Sequence, residues 1–366
     1  MKPEADAPIL TRLLAYNTVL FLVLMLAGFA VVAYHLLREG AWPTLEGAAW
    51  RDGEVTRQLD RRVATVAPSS KDVDGWLNGA LLRLSGDAGP QIRLGCPGWL
   101  FLAEEMLEVP QGDAHLARRA QLAHALAADL QERGIALVML PVPDKVTQAH
   151  AQSCGLAVAA QARARAQAWQ KAAQPLALDQ VDLLAGWPAP GYWRTDTHWD
   201  RIGARFAAER VAGHVQPLAG PGPAKVTLVA AEPTQPRPGD LLPLAGLAAQ
   251  TAGLFGLPPD QERPEHSEVD TGGGLLDVAP APDVLLAGSS YSLNSGFIDY
   301  LQYALARPVA QQSLPGGGFA GALLDALTRH PQRLQGVKVV VWEWPLRSLT
   351  QPLTPAERDY LQARQP

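Results

Sequence analysis

The sequence predicts an α/β layered domain with a mostly parallel sheet, preceded by one N-terminal transmembrane helix. Three observations carry this. Short apolar runs recur at 135–140 (IALVML), 284–287 (VLLA) and 337–342 (VKVVVW), and such runs belong in a parallel sheet covered on both faces. Segments with apolar residues three and four apart separate them, as crossover helices between parallel strands require. Residues 13–37 hold no Asp, Glu, Lys or Arg.

Composition narrows the class. The 366 residues suffice for one large domain or two modest ones. Lys and Arg (31) against Asp and Glu (36) give a formal charge of −5, which argues against a general nucleic-acid binder. A hydrophobic fraction of 48% excludes a disordered chain. Cys96 and Cys154 are too few for a disulfide scaffold or a four-thiolate zinc site.

The elements follow in order. As a helix, 13–37 would span roughly 37 Å at ~1.5 Å per residue, more than the ~30 Å hydrocarbon layer. Arg12 and Arg38 bracket it, and Tyr34 and His35 fall at an interface. A cleavable signal peptide is the other reading, but the run outlasts a usual apolar core and lacks a clear cleavage site. An uncleaved anchor is expected, with Lys2 and Arg12 leaning residues 1–12 to the cytoplasm and the remainder outside. Residues 38–90 read as a stalk with helices at 53–66 and 70–84, and 91–366 as the functional domain. In it, 94–102 is a turn feeding a strand. Asp113 is expected to cap a helix running to Glu132, ended by Gly134. Strand 135–140, helix 157–173, a strand formed by 176–178 and nearby residues, and helix 200–212 come next. The Pro- and Gly-rich stretch 214–282 shows no firm period and reads as excursions wrapping the core, with 241–259 a core-lining loop. Strand 284–287, helices 294–306 and 319–329 and strand 337–342 close the pattern. No internal repeat interrupts it.

Two segments carry chemistry. Gly288-Ser-Ser-Tyr-Ser292 follows an apolar strand and precedes a helix. A serine there stands at the sheet's carboxyl edge, where backbone N–H groups hold an oxyanion. Ser290 is the best-placed nucleophile, with Ser289 and Ser292 as competitors. The plainer reading is that these serines only cap the helix. Asp196-Thr-His198 supplies what a nucleophilic serine needs: a base to take its proton and a carboxylate to orient the base. Asp113-Ala-His115 has the same spacing but reads as a helix start. Trp193 and Trp199 flank the Asp-His pair, as aromatics lining a sugar site would, although buried aromatics are commoner. Lys145 follows a strand's carboxyl end, where α/β ligands gather, and reads equally as a solvated lysine. No metal motif appears, and Gly272–274 and Gly316–318 lack the context of a phosphate loop. If the domain is exported, Cys96 and Cys154 either pair or stay as free thiols.

Together these segments resemble a known family. Gly95-Cys-Pro-Gly-Trp-Leu-Phe101, Val142-Pro-Asp-Lys145, Tyr192 to Trp199 around D-T-H-W, Gly239-Asp-Leu241, Gly288 to Ser292 and Val340-Val-Trp-Glu343 with Arg347 occur in the order of the alginate O-acetylation proteins of the AlgJ/AlgX type. That family's fold is SGNH-hydrolase-like, and the resemblance covers about 91–350. It implies an O-acetyltransferase with acetylesterase activity, acting on an exopolysaccharide. It implies Ser290 as nucleophile, His198 as base and Asp196 as its orienter, with no metal and no cofactor. Tyr192, Trp193, Trp199, Arg347 and Lys145 are then candidates for shaping the sugar site. The implied partner is a multi-pass membrane-bound O-acyltransferase at the inner membrane, with the catalytic domain in the periplasm. Cys96-Pro97 replaces the usual polar residue of the opening block. The chain stops soon after Arg347, which favours the anchored single-domain, AlgJ-like branch. Cellulose-acetylation systems use similar proteins, so the polymer stays open. A non-catalytic scaffold or polymer-binding subunit is the rival expectation, with a plain secreted esterase behind it.

Overall fold

The computed structural model describes residues 7–38, 55, 56, 58, 60, 70–176, 178–270, 272 and 281–364. The chain divides into two units, Met1–Leu77 and Asn78–Pro366. The first contains α1 (Ala7–Arg38) and the start of α2 (Ser70–Ser85). Apolar side chains of α1, from Val19 to Leu26 and at Phe29, stand exposed. Among the described residues no helix is long and apolar enough to cross a membrane. The first six residues of the expected head, most of the stalk with its helix over 53–66, and two of the glycines at 272–274 lie outside the described residues.

The second unit begins with a hairpin of β1 (Ile92–Leu94) and β2 (Leu100–Leu102). Then come α3 (Gly112–Glu132), β3 (Ala136–Val142), α4 (Ala160–Ala173), β4 (Asp179–Gln180) and α5 (Arg201–Ala219). β5 (Lys225–Ala230), β6 (Gln235–Arg237), β7 (Asp260–Glu262) and β8 (Glu265–Asp270) form two small antiparallel pairs, β5 with β8 and β6 with β7. β9 (Val284–Gly288), α6 (Phe297–Leu305), β10 (Ala310–Ser313), α7 (Gly321–Thr328), β11 (Val339–Pro345) and α8 (Pro355–Gln362) complete it.

The main sheet has five parallel strands in the order β10-β9-β11-β3-β4. Its central strands are apolar on both faces because both are covered. Along β11, Val340, Trp342 and Trp344 join one core with Leu122, Leu126, Trp169 and Phe319. Val339 and Val341 point the other way, into a core with Val211, Val215, Leu301 and Leu305. That alternation is the two-residue period of a strand. Helices α3, α4, α7 and α8 cover the first face, and α5 and α6 the second. The loop at 241–259 does line a core: Leu241, Leu242, Leu247, Ala252 and Leu257 pack with Leu100 and Ile92.

Four local expectations need correction. Asp113 does not cap α3. The chain enters through Gln111 in a left-handed conformation (φ 59), so Asp113 already lies in the first turn, where its charge suits the helix dipole. The strand expected at 176–178 and nearby residues is confined to the nearby Asp179–Gln180, because Gln174–Leu176 makes a single turn first. α5 runs past Ala212 to Ala219 because Val215 is fully buried beyond that point. The helix expected from Asn294 starts at Phe297, because Ser290–Leu293 makes a tight 3-10 turn and Gly296 is left-handed (φ 69).

Cys96 and Cys154 form a disulfide across 58 positions, resolving the alternative the sequence left open. It ties the loop before β2 to the segment after β3. Chain entropy for a loop of that length puts its contribution at about 4 kcal/mol. Cys96→Ser should therefore lower the urea midpoint markedly; equal midpoints for wild type and variant would refute the estimate.

Candidate active site

The carboxyl ends of β9, β11 and β3 lie at one edge of the sheet, the edge at which α/β proteins place ligands. β9 is wholly buried and ends at Gly288. A Cβ at Gly288 would fall 2.5 Å from Ser292 Oγ and 2.8 Å from Glu343 Oε2, so only glycine lets the chain turn here. Ser289 Oγ then accepts the Tyr291 N–H (3.2 Å), a helix-capping bond. Within the serine block Ser289 is the residue that caps, and Ser290 faces the histidine.

Glu343 on β11 fixes this turn. It accepts the Ser289 N–H (2.7 Å), the Ser289 hydroxyl (2.8 Å) and the Ser292 N–H (3.2 Å). Burial pushes its carboxyl up to about 7 in spite of those three donors. Ser292 is spent on the Ser289 carbonyl and on Ser313. The Ser289 and Ser292 amides are thus held by Glu343 and the Tyr291 amide by Ser289 Oγ.

The Asp196–His198 loop arrives from the other side and is held backbone atom by backbone atom. Lys145 donates to the carbonyls of Leu100 (2.6 Å), Arg194 (3.0 Å) and Asp196 (2.9 Å). Asp260 accepts the amides of Arg194 and Thr195. Asp240 Oδ1 accepts the Thr197 N–H at 2.6 Å, and Leu241 N–H reaches the Thr195 carbonyl. A Cβ at Gly239 would sit 1.8 Å from that carbonyl oxygen, so the two loops touch at a glycine.

The result is one linear array. His198 Nδ1 lies 2.6 Å from Asp196 Oδ1, and His198 Nε2 lies 2.8 Å from Ser290 Oγ. Asp196 Oδ1 also accepts the His198 N–H (2.9 Å), and its Oδ2 takes Arg237 Nη2–H (3.1 Å). Burial alone would raise the Asp196 carboxyl. The hydrogen bond from His198 and the Arg237 charge outweigh it and hold the carboxyl well below the usual carboxylate range. Asp196 and His198 are buried, while Ser290 is partly open. A depression of about 700 Å³ reaches the array at Asp196 and is lined also by Arg237, Asp240, Glu262 and Asn294 among others. A depression of about 790 Å³ along α4 contains none of the site residues.

The other expected site residues sit elsewhere than a sugar surface. Trp199 is fully buried between Tyr291 and Phe297. Tyr192 is buried, its hydroxyl donating to the Pro143 carbonyl. Trp193 is 9% exposed, donates to Ser295 Oγ, and carries Arg237 over its ring. Ser295 in turn donates to the Trp199 carbonyl (2.6 Å). Arg347 is inside the fold, bonded to Tyr291 Oη (3.2 Å) and paired with Glu105 (3.5 Å). Lys145 is neither a ligand-facing nor a solvated lysine. It is 1% exposed, and burial lowers its ammonium to about 8. Arg347 helps to join the two halves of the site, because the Tyr291 Oη it holds donates to the Thr197 carbonyl (3.0 Å).

Sequence reasoning assigned no role to Asp240, Arg237 or Asn294. Asp240 lay in the quoted G-D-L block, which was the available signal. Asn294 Nδ2 donates to the Ser290 carbonyl and its Oδ1 accepts from Arg237, which links turn to carboxylate. Asp196, His198 and Asp240 bring ligand atoms within 4.8 Å of one another. Asp196 Oδ1 and His198 Nδ1 are already spent on each other.

The parallel sheet with a serine at the turn after β9 and an Asp-x-His loop opposite defines the SGNH-hydrolase-like class. Residues 92–346 match the family described as SGNH hydrolase-like domain, acetyltransferase AlgX, and the chain belongs to that O-acetyltransferase family. Among curated relatives, the probable alginate O-acetylase AlgJ of Pseudomonas putida is 29% identical over 338 residues, 86% of each chain. The solved O-acetyltransferase domain of Pseudomonas putida AlgJ superposes with a TM-score of 0.64 at 27% identity, covering 75% of this chain and all of that one. Pseudomonas aeruginosa AlgX, at 18% identity and a TM-score of 0.50 over 71% of this chain and 66% of its own, shares the fold.

Proposed function

We propose that this protein transfers acetyl groups to an exopolysaccharide through an acetyl-serine at Ser290. The single observation that carries the reading is the array Asp196–His198–Ser290, with distances of 2.6 and 2.8 Å. His198 Nε2 takes the Ser290 proton as Oγ bonds to the acetyl carbonyl carbon. The oxyanion that forms is stabilised by the Ser290 N–H. The C–O bond to the donor then breaks, and its leaving oxygen takes the proton from the imidazolium. In the second half a sugar hydroxyl gives its proton to His198 and attacks the acetyl-serine. The bond to Ser290 Oγ then breaks, Oγ takes the proton back from the imidazolium, and the acetyl ester is left on the sugar. Asp196 stays ionised throughout and stabilises the imidazolium.

Relatives named alginate O-acetylases make alginate the first acceptor to test, with cellulose second. The exposed apolar face of α1 and the uncharged run 13–37 support an anchor in the inner membrane. The disulfide supports an oxidising compartment, the periplasm. There a multi-pass membrane-bound O-acyltransferase is the proposed source of acetyl groups.

The test uses full-length protein in detergent. Brief exposure to an aryl acetate should add the mass of one acetyl group to the peptide carrying Ser290. A chase with oligomannuronate or cello-oligosaccharide should discharge it onto sugar. No label on Ser290, or label on another residue, would reject the relay.

A further inference from the structure

The triad of hydrogen bonds leaves one charged group at the histidine without a role. Asp240 Oδ2 lies 3.6 Å from His198 Nδ1, on the same side as Asp196. Its other oxygen accepts the Thr197 N–H at 2.6 Å, which aims the carboxylate at the imidazole. Gly239 makes this approach possible, because any side chain there would collide with the Thr195 carbonyl and the Asp196 amide. The G-D-L turn is therefore shaped to bring a second carboxylate to the base.

We propose that Asp240 is a positioning residue for His198, a second carboxylate that stabilises the imidazolium formed when Ser290 attacks. The inference rests on the reading of His198 as the base and goes beyond it.

The surroundings of His198 are accounted for group by group. Asp196 accepts from its Nδ1. Ser290 holds Nε2, and the Tyr291 ring packs edge-on at 4.8 Å. Arg237 reaches Asp196 Oδ2 and Glu262, and so offsets part of the charge of Asp196. Lys145 sits behind the loop on the Asp196 carbonyl, and Arg347 reaches the site only through Tyr291 Oη. Lys145 feels the charge of Asp240 through space, while the hydrogen-bonded partner of the Asp240 carboxylate is the Thr197 amide. Asp196 alone, shared with Arg237, is thus a partly neutralised partner for an imidazolium, and Asp240 restores the negative charge. Partial desolvation at the edge of the site, followed by the charge of Asp196, raises the Asp240 carboxyl above its usual range.

A charge effect and a packing effect separate in the pH profile. Asp240→Asn keeps an oxygen for the Thr197 N–H and removes the charge at Nδ1. Without that charge the imidazolium is less favoured. The acid limb of kcat/KM for aryl acetate should move to lower pH by about half a unit to one unit. The plateau should fall about tenfold, because the base now has less support in the transition state. A merely structural role would lower the plateau and leave the limb in place, and that result would overturn the proposal. A second measurement needs no variant. The Asp240 side chain is 43% exposed and that of Asp196 only 5%, so salt screens the first far more than the second. Raising salt from about 0.05 to about 1 M should move the wild-type limb the same way, and an unmoved limb would also overturn the proposal. Ser290→Ala run in parallel keeps the two claims apart. If that variant retains turnover, the base reading itself has failed. If it is inactive while Asp240→Asn leaves the limb fixed, only the role of Asp240 has.

Discussion

Ser290→Ala should lose roughly 10³-fold or more of aryl acetate turnover, as removal of a triad nucleophile does elsewhere. The loss is this large because Oγ is the atom to which the acetyl group bonds, and its hydroxyl donates the proton that His198 Nε2, 2.8 Å away, accepts. Ser289→Ala is the informative contrast. Its hydroxyl caps Tyr291 N–H and donates to Glu343, so its removal should cost about 1–2 kcal/mol of stability, as loss of a cap does. A large part of the turnover should survive. His198→Ala should resemble Ser290→Ala, and the double variant should be little worse than either, since the two act as one unit. Steady-state hydrolysis with matched circular dichroism spectra checks all four proteins. If Ser289→Ala were the inactive variant and Ser290→Ala the active one, the nucleophile would have been placed one residue too late.

The particular residues show why some of this was legible in the sequence. The runs at 135–140 and 284–287 announce themselves because both faces of the sheet are covered, which forbids polar residues at either parity. The Asp-His and Ser blocks were visible because each is local, a few residues wide. What joins them was not. Lys145 holds its loop through three backbone carbonyls 45 to 51 positions away, and a carbonyl acceptor leaves no trace in residue type. Glu343 serves a turn 51 to 54 positions earlier. Trp199 read as a possible sugar platform because an aromatic beside a catalytic motif looks alike whether it faces solvent or Phe297. The stretch 214–282 showed no period because its strands are short and half exposed, as in β5 and β8. Yet that stretch delivers Arg237 and Asp240 to the site.

The second large effect is expected at Glu343, whose carboxylate carries the turn on which Ser290 sits. Glu343→Ala leaves the Ser289 N–H, the Ser289 hydroxyl and the Ser292 N–H facing a fully buried space. Each such orphan costs about 1–3 kcal/mol, so the unfolding free energy should drop by at least about 3 kcal/mol. A shift of Ser290 of about 1 Å would then lower turnover about 10²-fold. Glu343→Gln is nearly isosteric and should be mild, because its oxygen can take the two amides while its nitrogen donates to Ser289 Oγ. The pair of variants also reads the protonation of Glu343. Burial raises this carboxyl from 4.5 to about 7. Between those values the folded protein holds a proton that the unfolded chain has released, so its stability falls as pH rises and levels off above about 7. Over the whole shift the group accounts for about 3 kcal/mol. Glu105, raised to about 7 mainly by its own burial, contributes the same slope to both proteins and cancels in the comparison. The stability of wild type minus that of Glu343→Gln should therefore decline across this window in urea titrations. A flat difference would mean that the three donors keep Glu343 ionised in the folded state at every pH tested, and the turn would then rest on a permanent buried charge.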